Sequence, residues 1–455
     1  SSDVCSSDLM FSFGCPTPIV SPELTEKLSC PTTQVSDIVS DPSTPRALRA
    51  NHLPVVNYLA SHIQEIFDLA LNVTEENHQT SGKAFSLLTI ANDKIFEVIL
   101  NKEHNLMKEN AMEVMKSKDM IKLNRMAMVI QNCFLQPSLE LVEDCEYLLD
   151  LIKYMNNRSV YDLFLSLVGV NDSEQKIMKE YLTEHDFIKK LFQAIDELVV
   201  DGVVKENQED DNNELLLINM LKLVVALKNS DLMFEQIGIN ELNILLKDIP
   251  NASVILLNSK WNAINTIVES NELTQEIANR FNELGLLSMI EKDGDFMLYQ
   301  EYVLILISKV ANKIDEIAEM LLNIDIGSKL AEIVYKHPKH SNVHIAMVNF
   351  CKNVKSRTQL SNNVINALFK VAVKLIENNP GVEELSFGWN LTRTIRELDE
   401  DFDVSSVLTE NINNKFEEMD NIYNETYGGE VPSSEEISIT PEQLQVLLRF
   451  IAGSR

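Results

Sequence analysis

Apolar residues recur every three or four positions along most of this chain, and the stretch from Tyr147 to Leu198 shows the pattern most clearly. That spacing places apolar side chains on one face of an α-helix. Helices this short are not stable alone, so each is predicted to pack on a neighbour in a stacked helical array. Three stripes carry the pattern: Leu148, Leu151, Ile152 and Met155; Val160, Leu163, Phe164 and Leu167; and Ile188, Leu191, Phe192, Ile195 and Leu198.

Helix-start and helix-stop signals divide this stretch. Ser159-x-x-Asp162 and Thr183-x-x-Asp186 resemble capping boxes. In such a box a hydroxyl accepts a hydrogen bond from an orphan backbone N–H, and the acid lies near the positive end of the helix. Gly169 is predicted to end the helix that starts near Ser159.

The same periodicity predicts helices over most of the remaining chain, joined by short polar connections. The helices vary in length and follow no strict sequence period. We therefore predict an all-α fold, a degenerate HEAT- or armadillo-like helical-repeat solenoid. Helices are predicted at about 46–71, 82–91, 94–100, 108–115, 120–134, 139–155, 215–228, 240–247, 260–269, 273–284, 297–310, 314–322, 329–335, 343–354, 362–376 and 382–398.

Composition changes along the chain predict its domain organisation. Residues 1–9 resemble a non-native leader, and residues 10–45 are an extension with short helices, punctuated by proline and serine. Residues 46–379 are predicted to form the helical-repeat domain. The remaining segments are a terminal helix at 380–398, an acidic segment at 399–439 that is predicted to be disordered, and a C-terminal helix at 440–455.

The net charge of -30 narrows the range of partners. So acidic a surface repels nucleic acid and anionic lipid and attracts basic partners. The sequence has no apolar run long enough for membrane insertion. The six cysteines have neither metal-site nor redox spacing, which indicates a reducing compartment.

No catalytic motif is present. The chain lacks a Gly-x-Ser-x-Gly elbow, a Walker loop and a His-Glu-x-x-His zinc motif. The one histidine cluster is His337-x-x-His340-x-x-x-His344, in which Pro338 interrupts the helical spacing that a zinc site on one helix needs. We predict a protein that is not an enzyme and needs no cofactor.

Several motifs, in the same order along the chain, resemble the SAPS-domain family, the regulatory subunits of protein phosphatase 6-type Ser/Thr phosphatases. Leu148 to Val170, followed by Tyr181 to Ile195, is similar to two apolar helical runs of that family. The aromatic–glycine start of the family resembles 10–14, Met-Phe-Ser-Phe-Gly. The matches span most of the chain. The remaining matches are Arg49, Asn51, Leu53, Val56, Tyr58 and Leu59, then Tyr335, Lys336, Asn342, His344 and Val348.

This resemblance implies a non-catalytic regulatory and scaffolding subunit that binds a protein phosphatase 6-like catalytic subunit and directs it to substrates. Further scaffold or substrate proteins are additional expected partners. The implied location is the cytoplasm, with the nucleus as a second compartment. The alternative is an armadillo- or HEAT-type adaptor that binds basic peptides in transport or tethering.

Six residues are candidates for partner contacts. Arg49, Asn51, Tyr335, Asn342 and His344 come from the matched motifs, and Asn124 from its place near the start of a long apolar helix. For each of them the competing interpretation is a helix cap or a hydrogen bond between helices.

Overall fold

The computed structural model describes residues 20–90, 92–100, 105–135, 144–171, 175–200, 210–291, 294–378, 381–398 and 410–424. Within these ranges every regular element is helical and no β-strand occurs, which confirms the all-α prediction. None of the described helices is both long enough and apolar enough to cross a membrane. The predicted leader 1–9 and C-terminal helix 440–455 lie outside the described residues.

The chain divides into two compact units, Ser1–Ile317 and Ala318–Arg455. The single domain expected over 46–379 is therefore split in two. Unit 1 contains the helices α1 (Pro22–Ser29), α2 (Val35–Val39), α3 (Thr44–Arg49), α4 (Leu53–Ser61), α5 (Ile63–Leu71), α6 (His78–Leu88), α7 (Asp93–Ile99), α8 (Leu106–Ser117), α9 (Met120–Phe134), α10 (Tyr147–Leu151), α11 (Arg158–Val168), α12 (Lys176–Glu184), α13 (Phe187–Val200), α14 (Asp210–Ala226), α15 (Asp231–Phe234), α16 (Ile239–Leu246), α17 (Val254–Ile267), α18 (Asn271–Asn279), α19 (Leu286–Ile290) and α20 (Leu298–Lys313).

Five helices of unit 1 form a row in which each packs against the next. This long row consists of α9, α11, α14, α17 and α20. Its contacts are buried apolar side chains, such as Ile130, Leu163 and Ile264, at the helical spacing seen in the sequence. Every helix in the middle of the row therefore has an apolar neighbour on each side.

Hydrogen bonds near the helix ends show that the long-row helices run in the same direction. Near the starts of α9 and α11, Ser159 donates to Asn124. Near their ends, Gln131 Nε2 donates to Ser166 Oγ at 3.1 Å. Beyond the ends of α11 and α14, the Asn229 amide donates to the Gly169 carbonyl at 2.9 Å.

The same register continues through α14, α17 and α20. Near the starts of α17 and α14, Ser253 donates to Glu214, and just past their ends Lys228 pairs with Glu269. Lys309 Nζ of α20 donates to the Asn265 carbonyl of α17 at 2.8 Å. The amino termini of all five helices consequently lie along one edge of unit 1.

A second row of helices flanks the long row. This flanking row consists of α8, α10 with the 3-10 helix Ile152–Tyr154 that follows it, α13, α16 and α18. Each member packs on its neighbours in the row and on a long-row helix. Polar contacts also join neighbouring members, including Lys153 with Glu197 and Arg280 with Asn243.

The first three helices belong to this packed body, although the sequence predicted an extension over 10–45. α1 packs on α2 and α4, α2 on α5 and α6, and α3 on α4 and α6. The apolar pattern over 46–71 is also broken after Arg49. Asn51 adopts a left-handed backbone conformation with φ 54°, and His52 N–H donates to the Ala47 carbonyl, which ends α3 in a Schellman-type turn.

The predicted helix starts near 159 and 183 are displaced in the structure. Asn157, two residues before Ser159, caps α11 through its side-chain oxygen, which accepts from the N–H groups of Ser159 and Val160. Thr183 lies inside α12, and the following helix starts at Phe187. Gly169 is the residue after α11, as predicted.

Unit 2 is built around four helices. α22 (Ile326–Lys336) packs on α24 (Thr358–Asn378), α24 packs on α25 (Val382–Leu398), and α23 (Ser341–Asn353) packs on α25. Close approach of α22 and α24 requires Gly327, where a Cβ would lie 2.7 Å from Asn363 Oδ1. The division between the units falls within α21 (Asp315–Asn323).

A helix occupies part of the acidic segment 399–439 that was expected to be disordered. This helix, α26, spans Glu410–Asn424. It buries Ile412 and Phe416, and Asp420 Oδ1 accepts a hydrogen bond from the Trp389 indole of α25 at 2.8 Å. The burial of these two side chains and the indole–carboxylate hydrogen bond thus stabilise a helix in spite of the repulsion between its acidic side chains.

The cap of α11 provides a test of the long-row packing. Asn157 is buried and also donates to the Met120 carbonyl of α9 at 3.4 Å. Asn157→Ala should lower the free energy of unfolding by about 1–2 kcal/mol, because it removes a cap and an inter-helix bond together. Urea denaturation measures this loss. Asn156→Ala is the matched control, and an equal loss in both variants would contradict the assignment.

The docking of α26 provides a second test. Trp389→Phe keeps most of the apolar contact and removes the indole donor, so amide exchange across 410–424 should become faster. Hydrogen–deuterium exchange with peptide resolution measures it. Asp420→Asn retains an acceptor and should stay close to the parent chain. Unchanged exchange in Trp389→Phe would show that the bond does not hold α26.

Candidate docking surfaces

The six candidate residues are divided between the two units. Arg49, Asn51 and Asn124 lie in unit 1, and Tyr335, Asn342 and His344 lie in unit 2. Arg49 is an exposed residue in the last turn of α3. Asn51 is the left-handed turn residue described above, and its Oδ1 accepts from Asn92 Nδ2 at 3.4 Å. Asn51 therefore has a structural role in ending α3.

Asn124 also has a structural contact. It is half-buried on α9 and accepts the hydrogen bond from Ser159 that sets the register with α11. A hydrogen bond between helices is the competing interpretation that the sequence allowed for Asn124. Its side chain nevertheless remains part of the half-exposed stripe of α9, next to Met128 and Ile121.

The candidates of unit 2 have different environments. Tyr335 is 54% exposed on α22, and Lys374 Nζ lies 5.0 Å from the centre of its ring. Asn342 is half-buried in the first turn of α23. His344 is 7% exposed, and its ring stacks on Phe387 at 4.4 Å. His344 also lines a cavity.

That cavity lies between α23 and α25 and has a volume of about 430 Å³. Its walls are mainly apolar and include Ile345, Val348 and Phe387 beside His344. The rim carries one charged side chain, Glu383, together with neutral serine and asparagine side chains. We call this cavity the α23–α25 pocket. Its size and lining are typical of sites that bind apolar groups.

The imidazole of His344 is neutral in this environment. Burial lowers its pKa to about 4, and the nearby His340 also lowers it, whereas a hydrogen bond to the Pro338 carbonyl and the charge of Glu383 oppose the shift. Among the described residues, Nε2 has no hydrogen-bond partner. The pocket wall therefore contains an unpaired acceptor.

A second surface was not predicted from the sequence. Six aliphatic side chains near the starts of long-row helices are between 37% and 63% exposed. Because those starts are aligned, the six lie along one edge of unit 1, which we call the apolar edge. The edge consists of Met120 and Ile121 on α9, Leu215 on α14, Val254 and Ile255 on α17, and Leu298 on α20.

The apolar edge continues into half-exposed stripes on the long-row helices. On α9 the stripe passes from Ile121 through Asn124 to Met128. On α17 it passes from Ile255 through the half-buried Asn258, Asn262 and Asn265. Ile121 and Ile255 lie on the same helix face as these half-exposed residues and not on the face of the buried residues. An isoleucine on that face of each helix was therefore the signal in the sequence that could have revealed the edge.

A polar groove also lies near the first helices of unit 1. It has a volume of about 500 Å³ and includes Tyr58, His62, Glu65 and Asp68 of α4 and α5 and the turn between them. The rings of Tyr58 and His62 stack at 4.3 Å. Burial and the charges of Glu65 and Asp37 raise the pKa of Tyr58, so its phenol stays neutral.

Comparison with known proteins yields no assignment. No family model matches the chain, and a search of the curated proteins gives no significant match. Within the described ranges, no three His, Cys, Asp or Glu side chains are grouped closely enough to hold a metal ion. The apolar edge and the α23–α25 pocket are therefore the features of this chain from which a function can be inferred.

The low pKa of His344 predicts a dependence of stability on pH. Between pH 6.5 and about 4, unfolded chains bind a proton at His344 that the folded chain does not bind. Stability from this residue is therefore present above pH 6.5 and is lost as the pH falls to about 4, with a slope of at most ~1.4 kcal/mol per pH unit. His344→Phe should flatten urea-denaturation stability over this range, whereas the exposed His78→Gln should not. An unchanged slope in His344→Phe would contradict the buried neutral imidazole.

Proposed function

We propose that this protein is a non-catalytic scaffold whose two rows of helices form part of a HEAT- or armadillo-like solenoid. The single observation that carries the proposal is the set of five parallel helices with aligned starts and an exposed apolar edge. Stacked helix pairs provide a long surface whose residues are not needed for the core. Such surfaces are well suited to holding another protein.

The apolar edge supports a protein as the ligand. Neighbouring packed helices are about 8–10 Å apart, so five of them extend over roughly 40 Å. Exposed aliphatic residues at 37–63% exposure are repeated on four of the five helices. Repeated apolar surface of this kind is typical of protein interaction sites. The net charge of -30 makes an anionic membrane an unfavourable alternative.

The resemblance to the SAPS-domain family supplies the identity of the partner in this proposal. The partner is a protein phosphatase 6-like catalytic subunit, and this chain directs it to substrates in the cytoplasm or nucleus. The metals and the phosphate-ester chemistry then belong to the partner. In this proposal the chain is not an enzyme and needs no cofactor.

One observation favours the second candidate, an adaptor for basic peptides. Asn258, Asn262 and Asn265 follow one another on the half-exposed stripe of α17. Carboxamides can pair with the backbone of an extended peptide. The acidic chain would attract its basic side chains.

The scaffold proposal predicts direct binding of the catalytic subunit. A tagged phosphatase 6-type catalytic subunit should retain the full chain at micromolar concentration. The double variant Ile121→Asp/Ile255→Asp should weaken binding at least about tenfold, because two charges would be buried at the interface without partners. Surface-immobilised binding assays measure the dissociation constant.

The matched control is Leu232→Asp on α15, which alters an aliphatic residue that is 36% exposed and lies outside the apolar edge. It should leave the affinity unchanged. Absence of binding by the parent chain would reject the phosphatase partner. In that case, binding of arrayed basic peptides that is lost in Asn258→Ala/Asn262→Ala would support the adaptor.

A further inference from the structure

The α23–α25 pocket is suited to an apolar group that also carries a positive charge or a hydrogen-bond donor. Ile345 is 51% exposed at the pocket, so an apolar ligand would bury it. The unpaired Nε2 of His344, a residue that is 93% buried, is an acceptor in the wall because the other ring nitrogen donates to the Pro338 carbonyl. Glu383 places a carboxylate at the rim. An apolar side chain beside a basic one complements all three features.

A segment with this chemistry follows α26 in the sequence of unit 2. Residues 440–455 carry two arginines and one glutamate, whereas residues 399–439 carry twelve acidic residues and one lysine. Arg449 stands between Leu448 and Phe450. Leu444, Leu447, Leu448 and Ile451 have the spacing of an apolar helix face. The segment lies outside the described residues.

The segment can reach the pocket. The last described helix, α26, ends at Asn424 and is held against α25 through the Asp420–Trp389 hydrogen bond. α25 is also the helix that provides Phe387 and Glu383 to the pocket. The intervening residues 425–439 can extend over roughly 50 Å, which is several helix diameters. A tether of this length gives an effective concentration on the order of millimolar.

We propose that the α23–α25 pocket binds the chain's own segment 440–455, with apolar side chains around Leu447 in the cavity and Arg449 at Glu383. The segment is an internal ligand that covers Ile345. Any partner that uses this pocket must first displace it. The internal ligand involves unit 2 alone and is independent of the phosphatase partner.

Photo-crosslinking in the chain of residues 1–455 tests the proposal. A benzoylphenylalanine at position 447 should form crosslinks within 341–349 and 383–390, as mapped by mass spectrometry. Ile345→Arg should lower this yield about tenfold, because it fills the mouth of the pocket and repels Arg449. Tyr335→Arg is the matched control, since it places the same charge at an exposed position of unit 2 outside the pocket.

Each outcome decides the question. Crosslinks at the pocket that are lost in Ile345→Arg and kept in Tyr335→Arg support the proposal. Crosslinks scattered over unit 2, or equal losses in both variants, overturn it, because tethering alone would explain them. Crosslinked dimers whose yield rises with concentration also overturn it and assign the pocket to a second copy of the chain. Circular dichroism of both variants confirms that they are folded.

Discussion

Sideways packing of parallel helices is the constraint on which unit 1 depends. A short amphipathic helix cannot bury its apolar stripe alone, and each long-row helix solves this by packing between two others. The flanking row then covers the remaining apolar surface. What is left over is a narrow stripe and one end of the helices, and the six residues of the apolar edge occur there.

Hydrogen bonds between polar side chains near the helix ends fix how far each helix is shifted along its neighbour. Apolar packing alone does not determine this shift. Apolar contacts tolerate small shifts along a helix axis, but a hydrogen bond such as that from Ser159 to Asn124 does not. Buried Lys179 shows the same principle at the end of α11, where its Nζ donates to the carbonyls of Val170 and Asn171 at 2.5 and 2.6 Å. The asparagines and serines between the apolar stripes therefore have structural as well as solubilising roles.

Much of the secondary structure could be read from the sequence, because helical periodicity is a local property. The predicted helices at 120–134 and 382–398 have the bounds of α9 and α25. The cap at Asn157 and the turn at Asn51 were missed although their hydrogen bonds are local, because Ser159 also fits a capping box and the apolar spacing continues through 46–71. The helix α26 was missed because it depends on a contact with the distant residue Trp389. The apolar edge likewise needed knowledge that the helices are parallel. His344 was found through a motif, but its pocket depends on Phe387, 43 positions later in the chain.

The short sequence separation between contacting residues of the long row affects how the chain folds during synthesis. Polar contacts between neighbouring long-row helices join residues from 35 to 60 positions apart, which is roughly a tenth of the chain length. Topologies with such short contact separations fold quickly, because little loop entropy is lost before contacts form. Each new helix pair can therefore dock on the preceding one soon after it leaves the ribosome, so unit 1 can grow by addition from its amino-terminal end.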